Sequence, residues 1–181
     1  MSSKVGWWGW EVWQVEIVVV RGDIVDQDVD AVVNAANSGL MGGGGVDGAI
    51  LIAGGDKQLA ARRELRDRIG LLPTGQAAAG DAGDMKARWV IHVVGPVFDP
   101  REDRSHLLAS CYREALRVAD ELGVRTLALP AVSAGAYGWP IDSAADIAIA
   151  TVRATETGVE HARFVMVNDG TYDEFMRALR T

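Results

Sequence analysis

A glycine-rich segment flanked by two polar side chains is the part of this sequence best suited to chemistry. Residues 42–45 are four consecutive glycines, with Asn37 before them and Asp47 after them. Glycine loses more backbone entropy on folding than any other residue and buries no side chain, so four in a row are unfavourable in a core. Their bare N–H groups and access to positive φ suit a loop that wraps an anion at a helix N-terminus. A flexible linker is the alternative, but these glycines lie between a predicted strand and a predicted helix.

A second loop of small residues follows another short apolar strand. It contains Ser133, Ala134, Gly135, Ala136 and Tyr137. Two sets of backbone donors that face each other suit a diphosphate better than a lone phosphate. Known nucleotide motifs do not fit, because a Walker loop requires Lys and then Ser or Thr where this chain has Val46 and Asp47. A dinucleotide fingerprint would leave the acid at position 47 without a role.

Asn37 and Asp47 are therefore interpreted as groups that bracket a sugar attached to the diphosphate. Asp47 is a candidate general base, or a residue that orients a water molecule. The alternative is that Asp47 is only a first-turn acid favoured by the helix dipole. Tyr137 has two open roles, as a contact to the ligand or as a packing residue.

The elements that must position these loops alternate between strands and helices. We predict strands at residues 10–20, 31–34, 76–79, 89–94, 126–130 and 163–167, and helices at residues 46–53, 57–69, 103–122, 140–155 and 171–180. The first strand is predicted to be half-buried at its start and fully buried over the apolar run at 17–20, and Arg62, Arg63 and Arg66 are placed on a solvated helix face. This alternation predicts an α/β fold with a mixed or largely parallel sheet covered on both faces. Ligands bind at the carboxyl ends of such strands, so we expect both loops on one rim.

Composition excludes several classes of protein. The 181 residues are 49% hydrophobic with a net charge of −7, which indicates a globular chain and argues against general nucleic-acid binding. No apolar run reaches the length of a membrane span, and no signal peptide is apparent. Cys111 is the single cysteine, so no intramolecular disulfide forms, and we expect a cytoplasmic monomer. His92 has no partner at metal-ligand spacing, so we predict a core or edge histidine and no metal site.

The N-terminus is rich in tryptophan, with Trp7, Trp8, Trp10 and Trp13 close together. We predict that residues 1–14 form an extension or an edge strand and that residues 15–181 form a single domain. Packing at a sheet edge is the expected role of the tryptophans. A surface for self-association is the alternative.

Several motifs along the chain together form a family pattern. They are Gly22-Asp23-Ile24, the run at 30–37 that ends in Asn34-Ala35-Ala36-Asn37, the run at 42–50, Thr74-Gly75-Gln76, the run at 90–96, Cys111-Tyr112 and the run at 129–138. This pattern resembles the macrodomain family, and most closely its MacroD-type branch. The resemblance covers roughly residues 15–181, and its most specific part is Asn37 followed after six residues by Gly44-Gly45-Val46-Asp47.

The resemblance implies a three-layer α/β/α sandwich with a central mixed sheet that binds ADP-ribose. By this analogy Asp23 would contact the adenine amino group, with Ile24 beside it, and Asn37 would contact the distal ribose. The diphosphate would be wrapped by Gly43, Gly44, Gly45 and Val46 and by the loop from Ser133 to Tyr137. Asn34 and Asn168 complete the implied ligand-binding set.

The resemblance also implies a reaction, in which Asp47 and Asn37 take part without a cofactor. Mono-ADP-ribose is removed from acidic side chains of modified proteins by hydrolysis of an ester at the distal ribose. Deacetylation of O-acetyl-ADP-ribose is the related activity. Water activation by Asp47 and by the substrate's own diphosphate both stay open. A non-catalytic reader of ADP-ribose and a glycohydrolase for ADP-ribosylated nucleic acid are the alternatives, and the negative net charge weighs against the second.

The sequence departs from the branch in three ways. Leu51 and Ile52 stand where a polar or basic pair, often His-Arg, is usual. Val167 stands where many members place an aromatic residue that stacks on adenine, which is worth roughly 1–3 kcal/mol in other systems. Ala134 and Ala136 replace bulkier or hydroxylated residues and would widen the cleft near the distal ribose.

Overall fold

Ten regular elements make up the chain in a computed structural model that describes residues 14–181. The extension or edge strand predicted at residues 1–14, with its four tryptophans, lies outside the described residues except for residue 14. The elements in chain order are β1 (Glu16–Arg21), β2 (Ala31–Ala35), α1 (Gly45–Ile69), β3 (Ala77–Asp81), β4 (Trp89–Val93), α2 (Ser105–Glu121), β5 (Thr126–Leu129), α3 (Ile141–Ala154), β6 (His161–Met166) and α4 (Asp169–Arg180). A single 3₁₀ turn, Ile24–Asp26, follows β1.

The six strands form one mixed sheet in the order β1-β6-β5-β2-β4-β3. All neighbouring strands are parallel except β3, which pairs antiparallel with β4 at one edge. The predicted mixed sheet is therefore confirmed. Because five strands are parallel, their carboxyl ends meet at one edge of the sheet, which is where ligands bind in such folds.

Alternating side chains divide the core into two layers. Ala31 and Val33 on β2 contribute to the larger cluster, which the helices α2, α3 and α4 cover. Val32, between them, contributes to a smaller cluster that contains Ile50 of α1. Successive strand residues point to opposite faces, so one strand serves both layers. This arrangement confirms the predicted three-layer α/β/α sandwich.

Helix α1 bends near its middle. Gly55 has φ 65 and ψ −159, so the element consists of two helical segments joined at this residue. The backbone N–H of Asp84 donates to the Gly54 carbonyl at 3.0 Å and fastens the bend to the loop before β4. The prediction of two helices, at residues 46–53 and 57–69, agrees with this bend.

Two predictions of burial are wrong. The sequence predicts a solvated face for Arg62, but the bend turns it beneath the glycine loop, where 1% of it is exposed. The sequence also predicts full burial for the apolar run of β1, but only Val19 is buried, because β1 lies at the edge of the sheet formed by the described residues. Among residues 14–181, no helix combines the length and the apolarity that crossing a membrane requires.

Candidate functional site

The two predicted ligand loops are neighbours on one rim of the sheet. One follows β2 and the other follows β5, and these strands pair directly, with Ala31 opposite Leu127. Asp23 follows β1, and Asn168 follows β6. The predicted site residues therefore lie in the spatial order β1, β6, β5, β2 along the carboxyl edge. Since neighbouring strands are about 4.8 Å apart, this row is about 14 Å long and suits an elongated ligand.

The glycine loop is held in an unusual backbone conformation. Gly42 and Gly45 have φ values of 86 and 58, a region that side chains disfavour. A Cβ at Gly42 would lie 3.3 Å from Leu51 Cδ2 and 3.7 Å from Arg62 Nη1, so the loop rests on these two side chains. Asn37 braces the loop from within, because its Nδ2 donates to the Gly42 carbonyl at 2.9 Å and its Oδ1 accepts from Met41 N at 3.2 Å.

The loop leads directly into the N-terminus of α1. Gly44 is the N-cap residue, and it has no side chain that could satisfy the first N–H groups of the helix. A Cβ at Gly44 or at Gly45 would meet no atom within 4 Å, so this stretch of backbone faces open space. Uncapped N–H groups at the positive end of a helix dipole form a binding site for an anion.

Asp47 lies in the first turn of α1 and is buried, with 4% of the residue exposed. Its Oδ1 accepts from Asn34 Nδ2 at 2.8 Å and from Arg62 Nη1 at 2.6 Å. A Cβ built on Gly43 would lie 3.6 Å from Asp47 Oδ2 and 4.0 Å from Asn37 Nδ2. The structure therefore brings the two predicted catalytic side chains to the same side of Gly43.

A buried polar cluster lies beneath the loop. Asn34 on β2 and His92 on β4 are register partners, and Asn34 Nδ2 lies 3.0 Å from His92 Nδ1. Burial, assisted by the positive charge of Arg62, lowers the pKa of His92 from 6.5 to about 3. The imidazole is therefore neutral at physiological pH. Gln58, one turn before Arg62 on α1, is also fully buried.

The second loop is packed against the end of β4. Ser133 has φ 65, and a Cβ on Gly95 would approach Ser133 Oγ closely and lie 2.7 Å from Val132 Cγ1. Only glycine at position 95 allows this approach without a shift of the loop. Phe98 N donates to the Tyr137 carbonyl at 2.9 Å, which fixes the far end of the loop. Ala134 and Tyr137 are half-buried, whereas Gly135 and Ala136 are exposed.

The opposite end of the rim carries the residues expected at adenine. Asp23 is exposed, and its Oδ1 accepts from Val25 N at 3.1 Å, so the carboxylate caps the 3₁₀ turn that contains buried Ile24. Asn168 Oδ1 accepts from Thr171 N at 2.9 Å and caps α4. Val167 between β6 and this cap is 67% exposed. Its side chain therefore offers an apolar surface where a ring could pack.

Nothing in the described part of the chain gathers three or more His, Cys, Asp or Glu side chains at a distance suited to a metal ion. Cys111 is buried on α2, and burial raises the pKa of its thiol to about 12. A thiol in that state is a poor nucleophile, since the thiolate is the reactive form.

Sequence reasoning missed Arg62 and Gly95 and gave His92 no role at the loop. The partnership of Asn34 with His92 depends on strand register, which no local pattern fixes. Arg62 is 15 residues from Asp47 and reaches it across the bend at Gly55. The glycine pair at 54–55 was the available signal, because it marks a place where the helix can change direction.

Comparisons by family model, by sequence and by structure all point to the same family. The macro domain family model matches residues 33–148. A Streptomyces nogalater protein named "Macro domain-containing protein in sno 5'region" is 60% identical over 165 residues, which cover 90% of this chain and 91% of the relative. An Oceanobacillus iheyensis macrodomain solved with ADP has a TM-score of 0.88 and 34% identity, and the match covers 99% of this chain and 95% of that one. A Trypanosoma brucei macrodomain in complex with ADP-ribose has a TM-score of 0.76 and 32% identity, and the match covers 90% of this chain and 68% of that one.

The close approach of Gly95 to the second loop predicts a large effect of one methyl group. We expect Gly95→Ala to lower the free energy of unfolding by about 1–3 kcal/mol, because Val132 and Ser133 must move to admit the Cβ. The control is Gly158→Ala, whose Cβ would meet Asp120 Oδ1 at an ordinary 3.5 Å. Urea unfolding of both variants measures the effect. Equal stability of the two would contradict the packing described for Gly95.

The buried neutral imidazole predicts a loss of stability in mild acid. In the unfolded chain His92 takes up a proton near pH 6.5, whereas in the native protein it does so only near pH 3. Between these values the unfolded state binds more protons, so stability is complete above pH 6.5 and falls as the pH is lowered. The contribution approaches about 1.4 kcal/mol per pH unit.

We expect His92→Gln to remove this contribution, so that urea unfolding between pH 7 and pH 4 gives a flatter profile than wild type. The exposed His106 provides the control, and His106→Gln should keep the wild-type slope. Parallel profiles for all three proteins would contradict the assignment.

Proposed function

Since this chain belongs to the macrodomain family, we propose that it binds ADP-ribose along the carboxyl edge of the sheet and hydrolyses mono-ADP-ribosyl esters, as expected of the MacroD-type branch. The adenine would lie between the ends of β1 and β6, near Asp23 and Val167. The diphosphate would lie between the glycine loop and the Ser133 loop. The distal ribose would lie beyond β2, beside Asn37 and Asp47.

Binding is supported by the open N-terminus of α1 and by the order of the loops along the rim. The uncapped backbone at Gly44 and Gly45 suits a diphosphate, and the row of about 14 Å suits a ligand with a base at one end and a sugar at the other. The Oceanobacillus and Trypanosoma macrodomains with similar folds were solved with ADP and with ADP-ribose.

The observation that carries the catalytic part is the placement of Asp47 Oδ2 and Asn37 Nδ2 beside Gly43. Within residues 14–181, the hydrogen bonds to the Asp47 carboxylate all fall on Oδ1. Oδ2 can therefore accept a proton from a water molecule that attacks the ester, while Asn37 orients a ribose hydroxyl. The water oxygen adds to the carbonyl carbon of the ester, the bond from that carbon to the ribose oxygen breaks, and the proton held by Asp47 passes to the ribose oxygen. The products are ADP-ribose with a free hydroxyl and a free carboxylic side chain. The same chemistry extends to O-acetyl-ADP-ribose.

A non-catalytic reader is the second candidate function, and one observation favours it. Both polar atoms of the Asn37 side chain are engaged by the loop backbone, at Gly42 and Met41. A rigid Asn37 would shape the ribose pocket without exchanging partners during a reaction. A reader would bind ADP-ribose and release none from a modified protein.

A conservative change at Asp47 separates the two functions. We expect Asp47→Asn to slow the release of ADP-ribose from an auto-modified ADP-ribosyltransferase by about 100-fold or more in single turnover, because the proton acceptor is lost. Binding of free ADP-ribose should stay within about threefold, since the amide occupies the same space. Asn is preferred to Ala because its amide oxygen can still accept from Arg62 and Asn34, whereas truncation would remove this acceptor together with the negative charge.

The matched control for this experiment is Asp67→Asn, an exposed acid on the same helix. It should release ADP-ribose at the wild-type rate. A wild-type rate in Asp47→Asn with intact binding would end the catalytic assignment of Asp47. Binding without release by the wild-type protein would favour the reader.

Val167 allows the adenine position to be tested. We expect Val167→Phe to tighten binding of ADP-ribose by about fivefold or more, because an aromatic ring at this position can stack on the base. Leu71→Phe is the control, at a residue of similar exposure, 72% against 67%, that follows α1 rather than β6. Calorimetric titration measures both affinities. An unchanged affinity in Val167→Phe would place the adenine elsewhere.

A further inference from the structure

We propose that Arg62 is a positioning residue for the reaction, and that it acts by fixing the carboxylate of Asp47 so that only one oxygen faces the substrate. This inference rests on the proposed function, in which Asp47 accepts the proton. Arg62 itself would not touch the substrate, because it is 1% exposed beneath the loop.

Both hydrogen bonds to the Asp47 carboxylate among residues 14–181 fall on the same oxygen. Arg62 Nη1 and Asn34 Nδ2 both donate to Oδ1, at 2.6 Å and 2.8 Å. The side chains of Arg62 and Asp47 are 1% and 5% exposed, so water competes little for these bonds. Rotation of the carboxylate would break both bonds inside a buried site. Oδ2 is thereby held on the side of Gly43, 3.6 Å from the place a Cβ there would occupy.

Stability alone does not account for this ion pair. Buried pairs gain little net free energy over apolar residues of similar size, because both charges must leave water. This cluster is also only partly satisfied, since Arg62 Nε, Arg62 Nη2 and the Gln58 amide are buried without a hydrogen-bond partner among the described residues. A partly satisfied polar cluster is less stable than an apolar one. We therefore attribute the ion pair to its effect on the orientation of the Asp47 carboxylate.

The second half of α1 supplies the only guanidinium that contacts Asp47 within residues 14–181. Positions 51 and 52, on the first half, are Leu51 and Ile52, and Leu51 packs beneath Gly42 instead. His92 is neutral and lies against Asn34 rather than against Asp47. The bend at Gly55 is what returns Arg62 to the first turn of its own helix. The charge that orients the acid thus comes from a distant part of the same element.

Arg62→Lys is the sharpest variant, because it keeps the charge and loses the planar guanidinium that directs Nη1 onto Oδ1. We expect it to bind ADP-ribose within about threefold of wild type. Its single-turnover release of ADP-ribose from the auto-modified transferase should fall by about 10- to 100-fold, as expected when a reacting group is misplaced. Arg62→Met should be slower still, so that Lys gives partial rescue. Arg63→Lys, at an exposed neighbour on the same helix, should match wild type.

Coupling to Asp47 distinguishes positioning from a general structural role. In the Asp47→Asn background, adding Arg62→Lys should change the single-turnover rate by less than about twofold, since the group it orients is already gone. A structural role would instead lower the rate by the same factor in both backgrounds, together with the affinity for ADP-ribose. If Arg62→Met does not fold, Arg62→Lys and the double variant still decide the question.

Failure of the positioning role and failure of the proposed function give different experimental results. A wild-type rate in Arg62→Lys, while Asp47→Asn is slow, would overturn the role of Arg62 and leave the proposed function intact. Equal factors in both backgrounds would also overturn it. Absence of turnover by the wild-type protein would remove the proposed hydrolysis and the positioning role with it.

Discussion

The ion pair between Arg62 and Asp47 is the interaction on which the geometry of the glycine loop depends. It joins the first turn of α1 to its second half across the bend at Gly55, under a loop that contributes little packing of its own. Paired charges that have left water resist separation, because removal of either one leaves the other buried and uncompensated. A loop with four glycines samples many conformations unless it is restrained, and Asn37 restrains this one at its start. At its other end the loop leads to Asp47, whose carboxylate is held by Arg62 beneath the loop.

Much of the sheet could be predicted from sequence, for reasons visible in particular strands. The strands β2 and β4 are buried on both faces, so apart from Asn34 and His92 they consist of apolar residues and are easily identified as strands. The strand β1 contains an equally apolar run, Ile17 to Val20, yet only Val19 is buried. Its place at the sheet edge is a property of topology, which the run itself does not contain. Hydrophobicity therefore identifies a strand more reliably than it identifies the strand's neighbours.

The candidate site could also be predicted only in part. Its two loops could be predicted, because they directly follow strands and the carboxyl ends of parallel strands converge. The side chains that hold these loops in place could not be predicted, because they make contacts between residues far apart in sequence. Asn34 meets His92 through strand register, and Gly95 meets Ser133 through the packing of two loops. The many charged residues of α1 predict that Arg62 lies on a solvated face. Only the bend at Gly55 explains why Arg62 is buried instead.

Charge gives the last constraint on how such a site can work. The chain carries a net charge of −7, and the Arg62 guanidinium beneath the glycine loop is already paired with Asp47. In the proposed complex, attraction for the diphosphate would come from backbone N–H groups at Gly44, Gly45 and the start of α1, which act at short range and do not titrate. A basic side chain in the cleft would bind phosphate more strongly, but it would also compete for the carboxylate of Asp47. With Arg62 below the loop, Asp47 has a fixed partner at Oδ1, and in the proposed reaction its second oxygen is available to the sugar.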